Sequence, residues 1–453
     1  MTKKTLTSGK GTIEIKAMYD EKEESYEATA RAKDFSLSKL LPEIPLHDAN
    51  LILTAEGKGF DILSPETDYR YTLLLDTLTY DSLTFNSITL NAGQTKGVSD
   101  IHLLSTGKGM EITMFAHTLL KDSTVENTTD IELKNVELQR LAATRSPARA
   151  TMKLAIKATT DLKDKYSLNI IGENMRIAHG GKEYTPARLD ITASTAEDST
   201  RLHLTNGDLS INGYMAAGYG TILRSIETTV AEIQKAIQSG DTLLDIRRYE
   251  RMLPETSLDI KAKEKNILAG ILSMQGITYK ELNLKFNIDT LKGINSRASI
   301  HHFERGEIHF DTLRAALSQE QERLRYFAGI RSRAMREKNE KATFGAFLYG
   351  ALQDNELTAN YVFRDNKDAP GMRIGVTAKM TGEGYRFRFN PDAILFRHPF
   401  TFNAYNTIEL TKRLKIRGNI DLRDSTDSGA TLIATTDSAD NQELSLELHS
   451  IDI

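Results

Sequence analysis

Ile277–Leu291 reads ITYKELNLKFNIDTL. Leu282, Leu284, Phe286 and Ile288 take every second position, and Glu281, Asn283, Lys285, Asn287 and Asp289 fill the gaps. Successive side chains on a strand point to opposite faces, so this alternation makes one apolar face and one polar face. Most of the 453-residue chain repeats the pattern with turns between. The chain therefore reads as mainly β, and its function turns on what the apolar face serves.

Upstream, the series begins at Ile13 and Ile15 and continues through Tyr26–Ala32. Phe35–Leu41 has room for one helical turn, ended by Pro42. In Tyr69–Leu90, YRYTLLLDTLTYDSLTFNSITL, Leu83 and Phe85 lie on one parity and Ile88 and Leu90 on the other. Asn86-Ser87 between them marks a bulge or bend. Met152, Leu154 and Ile156 then alternate with Lys153 and Lys157, and further strands follow at short spacing.

The period changes once. In TILRSIETTVAEIQKAIQ, the residues Ile222, Ile226, Val230, Ile233 and Ile237 step by four and three, which is one face of an amphipathic helix with Gly240 just past its end. A second short helix from about Asp241 to Met252 presents Leu244, Tyr249 and Leu253 before Pro254. Residues 217–254 thus read as a helical hairpin inserted between β segments 1–216 and 255–453. Strands resume through LDIKAKEKNILAGIL. Leu313–Met335 reads as two strands turning at Gln319–Glu322, and the last third returns to clear alternation at Phe387 and Phe389, then Leu414 and Ile416.

Several function classes recede. A net charge of -4 supplies no global attraction to nucleic acid, and the basic stretch Arg323–Lys341 is diluted by Glu322, Glu337 and Glu340. With no cysteine, disulfides and thiolate metal sites are excluded. The start, MTKKTLTSGKGTIEIK, lacks the apolar core of a signal peptide, and no run approaches the ~20 apolar residues of a membrane helix. The ten histidines are scattered. His301 and His302 point to opposite faces of an extended strand, and His309 lies roughly 26 Å from His301 along it, so no metal is expected. Gly57-Lys58-Gly59 and Gly218-Tyr219-Gly220 lack phosphate-loop spacing, no nucleophile or metalloprotease motif occurs, and neither enzymatic activity nor a cofactor is expected. The chain opens and closes in strand-like text, GTIEIKAMYD and ELSLELHSIDI, which suggests a piece of a longer array.

Apolar strand faces need a cover: a second sheet, helices or their own curvature. Helices are too few for that. One long curled antiparallel sheet is the favoured architecture, a β-groove reaching roughly 140 Å over about thirty strands. Leu282, Leu284, Phe286, Ile288, Met152, Leu154, Ile156, Phe387, Phe389, Leu414 and Ile416 are its candidate lining. Two alternatives stand beside it. Stacked β-sandwich adhesin modules need the apolar faces packed dry. A β-helix enzyme needs stacked parallel coils and clustered carboxylates.

The segment FNPDAILFRHPFTFNAYNTIELTKRLKIRGNIDL (389–422) resembles the TamB branch of the AsmA-like proteins, particularly in its Bacteroidetes form. The features are Phe389-Asn390-Pro391, Ile394-Leu395-Phe396, Phe400–Phe402, Asn406-Thr407-Ile408 and Ile416–Gly418. The helix pair ending Met252-Leu253-Pro254-Glu255 and the arrangement over Leu40–Asp61 are also similar to that family. The resemblance implies a periplasmic β-groove held to the inner membrane by an anchor outside this chain. It also implies phospholipid acyl chains as cargo, or work with an outer-membrane barrel assembly factor.

Overall fold

A computed structural model describes residues 2–8, 11–39, 41, 43–81, 83–121, 123–141, 147–239, 246–335, 341–365, 369–436 and 441–449. The fold is mainly β. Its strands belong to one sheet of 31, and every described pairing is antiparallel. That pattern removes the β-helix alternative, which requires parallel coils. The chain divides into two compact units: Met1–Leu209 with Lys265–Met274, and Ser210–Glu264 with Gln275–Ile453.

In the first unit the strands run as long hairpins, and a line of backbone irregularities crosses them. Asp34, Asp48, Ser87, Asn135 and Asn174 all adopt positive φ, between 47° and 54°. Short polar residues tolerate this conformation best, and it bends a strand locally. Pairing is interrupted at matching heights, between Leu75 and Thr77 opposite Asn86 and Ile88, and again between Ala150 and Met152. Neighbouring strands are stitched along the line. The Asp34 N–H donates to Asn50 Oδ1 at 2.9 Å, Asn50 Nδ2 to Thr77 Oγ1 at 3.0 Å, and the Asn135 N–H to Thr151 Oγ1 at 3.0 Å. Apolar parity switches across it: Ile88 and Leu90 pair with Leu75 and Leu73, whereas Phe85 pairs with Leu78. Along the crease lie buried Phe35, Ala49, Val136, Ala150 and Met175. The bend at Asn86-Ser87 is one stitch of this crease.

The helical turn after Phe35 forms as a 3-10 turn over Leu37–Lys39; Leu40 and Pro42 lie outside the described residues. Of the expected hairpin, α1 spans Tyr219–Ser239 and α2 spans Ile246–Arg251; Gly240–Asp245 lies outside the described residues. The packed stripe of α1 keeps only part of the expected face. Ile222 is buried and Ile233 half-buried, but Thr229 and Ala236 are buried where Ile226 and Val230 are 45% and 47% exposed; the Ile237 side chain lies outside the described residues. α2 is pinned within the second unit by Glu250, whose carboxylate accepts from Gln319 Nε2 at 2.7 Å.

A second correction concerns LDIKAKEKNILAGIL. The strand stops at Ala262, and Ile267–Met274 is a third helix, α3. Asn266 explains the change. Its Oδ1 accepts the Ala269 N–H at 2.9 Å, an N-cap, while its Nδ2 donates to Asp208 Oδ1 at 2.6 Å. Asn206 Oδ1 takes the Ile267 N–H at 2.6 Å, and all of this lies in the first unit. Gly270 lets α3 approach: a Cβ there would stand 2.3 Å from the Tyr184 ring. In the second unit the Leu313–Met335 reading holds, with strands Ile308–Glu320 and Arg323–Met335 paired across Gln321 at φ 53°.

A candidate apolar cargo face

Cross-strand register shows which alternating residues share a row. In the first unit Leu154 continues through Ile131, Met114, Leu103, Leu90, Leu73, Leu53 and Ala30 to Ile15. Met152 lies in the row beside it with Leu133 and Ile112, and Ile156 pairs with Ile170 on the other flank. In the second unit Leu284 continues to Ile260 and Ile211 on one side. On the other side it runs through Ala298, Ala315, Ala328, Leu348 and Tyr361 to Ile374. Each row is apolar at every step, so each unit presents an uninterrupted apolar band.

Leu133 and Ile288, in flanking rows, are buried, but no residue of the Leu154 and Leu284 rows themselves is. A dry sandwich core would bury them, so neither unit packs this face against a second layer. Total accessible area supports the same conclusion. It is 28680 Å², against about 17,000 Å² for one compact globular protein of this mass and about 21,000 Å² for two of half the mass. The excess survives that division, so it does not depend on how the units sit.

The reverse face carries charge. Beside the Leu154 row run Lys153, Glu132 and Thr113, a row that goes on through exposed Leu104, Leu74 and Ile52. Beside the Leu284 row run Asn212, Asp259, Lys285 and Arg297. Lys285 Nζ stands 3.7 Å from Asp259 and Lys153 Nζ 3.5 Å from Glu132. Such exposed pairs are worth roughly 0–1 kcal/mol and chiefly keep the face hydrated. Farther along, the reverse face turns aromatic at Phe327, Phe347 and Tyr349, with the Arg331 guanidinium over Phe347 at 5.8 Å. A hollow of about 510 Å³ opens on the charged face, beside Phe115, Glu132, Lys153 and Glu173.

One end of the first unit's band is capped by tyrosines. Tyr26 and Tyr71 hydroxyls meet at 2.6 Å, and Phe60 stacks on Tyr26 with centroids 5.1 Å apart. Burial, reinforced by that hydrogen bond, pushes the Tyr26 phenol far above its ordinary value, so it stays a neutral hydroxyl.

The expected lining residues mostly share these bands. Leu282, Leu284, Phe286 and Ile288 lie on one face in the second unit; Phe387 pairs with Ala378 and Ile408, Phe389 with Val376, and Ile416 with Leu410 on that same face. Met152, Leu154 and Ile156 occupy the band of the first unit. Leu414 does not belong. It sits in the turn after Thr411 at φ 60°, its N–H bonded to the Thr411 carbonyl, and is 76% exposed. The Leu-x-Ile spacing looked like alternation, but a left-handed residue closing a hairpin breaks that parity. Sequence reading also missed Leu73, Leu90, Leu103 and Met114 as partners of Leu154. Their alternation was visible, but the register joining them was not.

The single extended strand assumed between His301 and His309 does not form, and His301 pairs with Thr312. Gly306, at φ 59°, turns the chain between strands Gly293–Arg305 and Ile308–Glu320, so His302 and His309 face each other across a hairpin. Their ring centroids are 6.4 Å apart.

The chain matches no protein-family model, no curated protein sequence and no solved structure. Among the described residues no helix is long and apolar enough to cross a membrane.

Proposed function

We propose that this chain is a non-enzymatic carrier whose apolar sheet face shields acyl chains, or extended apolar polypeptide segments, from water. One observation carries the reading: in each unit an unbroken cross-strand apolar row is left without a covering layer. An elongated cargo suits such a row better than a small ligand, because the contacts repeat from strand to strand. Each methylene removed from water is worth about 0.8 kcal/mol, so transfer along the face is passive and needs no fuel at the site. The ion-paired stretches of the reverse face keep the carrier hydrated.

The setting that agrees with this chemistry is the periplasm, with the chain part of a TamB-like protein anchored in the inner membrane by a segment outside the sequence. There it would carry phospholipid between membranes or serve an outer-membrane barrel assembly factor. That factor could engage an unpaired strand edge by β-augmentation. No nucleic acid and no cofactor enter this reading.

Uptake of a fluorescent phospholipid from vesicles by the purified chain tests it. Leu154→Asp and Leu284→Asp each remove one leucine contact of about 1.5–3 kcal/mol. Lipid affinity should therefore fall about tenfold or more. Lys153→Ala and Lys285→Ala should leave it within twofold. Equal losses from both sets, or no uptake at all, would remove the carrier reading.

A further inference from the structure

The hairpin Gly293–Arg305/Ile308–Glu320 carries a cluster that the carrier reading does not use. His302, His309 and Asp311 each offer a ligand atom, and these atoms all lie within 4.8 Å of one another. His309 Nε2 is 3.5 Å from Asp311 Oδ1, and His302 Nδ1 is 4.0 Å from the same oxygen. Ligand atoms on a tetrahedral zinc ion are about 3.3 Å apart, given bonds of about 2.0–2.1 Å. Side-chain rotations of an ångström or less bring the three into that range.

The fourth member makes this more than a chance meeting. Glu304 Oε1 stands 3.1 Å from His309 Nδ1, on the ring edge opposite Asp311. A carboxylate on one imidazole nitrogen fixes the ring and leaves the other nitrogen's lone pair outward, the arrangement that accompanies histidine ligands to zinc. Glu304 is itself held, by Thr278 Oγ1 at 3.4 Å. The backbone is also specialised. The ladder skips the His302–Asp311 step, and His302 adopts φ 51° in mid-strand. The conformation kinks the strand at His302, as at the crease residues of the first unit. Ser332 Oγ donates to the His309 carbonyl at 2.7 Å and braces the strand from the next one. The nearby Arg331 guanidinium is engaged over Phe347.

We propose that His302, His309 and Asp311 bind one divalent transition-metal ion of the zinc class, with Glu304 as the positioning residue for His309. Two imidazoles and one carboxylate suit zinc, cobalt and nickel better than magnesium or calcium, which favour all-oxygen sites. The fourth position is left to water. The ion cross-links two adjacent strands of the second unit. The imidazole nitrogens bind it through their unprotonated lone pairs.

Cobalt(II) titration of the chelator-treated full chain, read by d–d absorption and followed by displacement with zinc, tests this. One cobalt per chain should bind with the intense bands of a four- or five-coordinate site. His309→Ala and Asp311→Asn should abolish the bands, and Glu304→Gln should weaken binding about 10–100-fold. His117→Ala, at a lone His–Asp pair of 2.7 Å elsewhere in the sheet, should change nothing. No cobalt bands in the unaltered chain would overturn the site. So would bands that persist in both His309→Ala and Asp311→Asn, and the milder Glu304→Gln keeps the test valid if either fails to fold.

Discussion

Glu137, through its carboxylate, ties its own strand to the following strand and to the helical turn between them. Its Oε2 accepts from Arg140 Nε at 2.9 Å and its Oε1 from Arg149 at 3.0 Å, while its N–H donates to the Gly109 carbonyl at 2.9 Å. Hydrogen bonds from Arg140 and Arg149 hold its pKa below the ordinary 4.5. A depressed folded-state pKa gives stability that is fully present above the unfolded value and is lost as pH falls through the folded one. Urea midpoints of the parent chain should thus drop below about pH 4.5 more steeply than those of Glu137→Gln; parallel curves would deny Glu137 this role. Asn266 is the other residue on which local structure depends. Asn266→Ala removes one partner of Asp208, which keeps the Lys265 N–H, and uncaps α3; it should cost about 1–2 kcal/mol in urea unfolding. Neither partnership was legible in the sequence. Asn266 stood in text that alternated well enough to pass for a strand, and the deciding partners, Asp208 for Asn266 and Asn206 for Ile267, lie far back in the chain. His302 and His309 failed for the same kind of reason: distance was counted along a strand that Gly306 folds back.

At the scale of elements, strands were legible because one face needs apolar residues and the other does not, and the period of two records that need directly. The crease was legible only at Asn86-Ser87, where both parity and residue type changed together. At Asn135 and Asn174 a single polar residue in left-handed conformation leaves less of a mark. The α1 stripe was partly misplaced because Thr229 and Ala236 pack while the larger Ile226 and Val230 do not, and hydrophobicity alone ranks them the other way. The crease makes its own prediction. A β-branched residue in left-handed conformation costs about 1–2 kcal/mol, and glycine is at ease there. Ser87→Val should therefore lower the urea-unfolding free energy by that amount, while Ser87→Gly should hold or raise it. Equal effects from the two would mean that the bend does not depend on Ser87.

Across the whole molecule, the account rests on apolar surface that the chain does not cover. The sequence indicated too few helices to cover so many strand faces, and the bands of half-exposed residues agree. Sequence could not supply the register that turns isolated alternations into continuous rows, because pairing partners are chosen by turn geometry and bulges as much as by pattern. The most direct measurement places a photocrosslinking residue at Leu284 and, separately, at its neighbour Lys285, in cells expressing the full-length protein. The carrier account predicts lipid or apolar-polypeptide adducts at position 284 and none at 285. Adducts at neither position, with position 284 shielded from water-soluble probes, would show a dry packed face and contradict it.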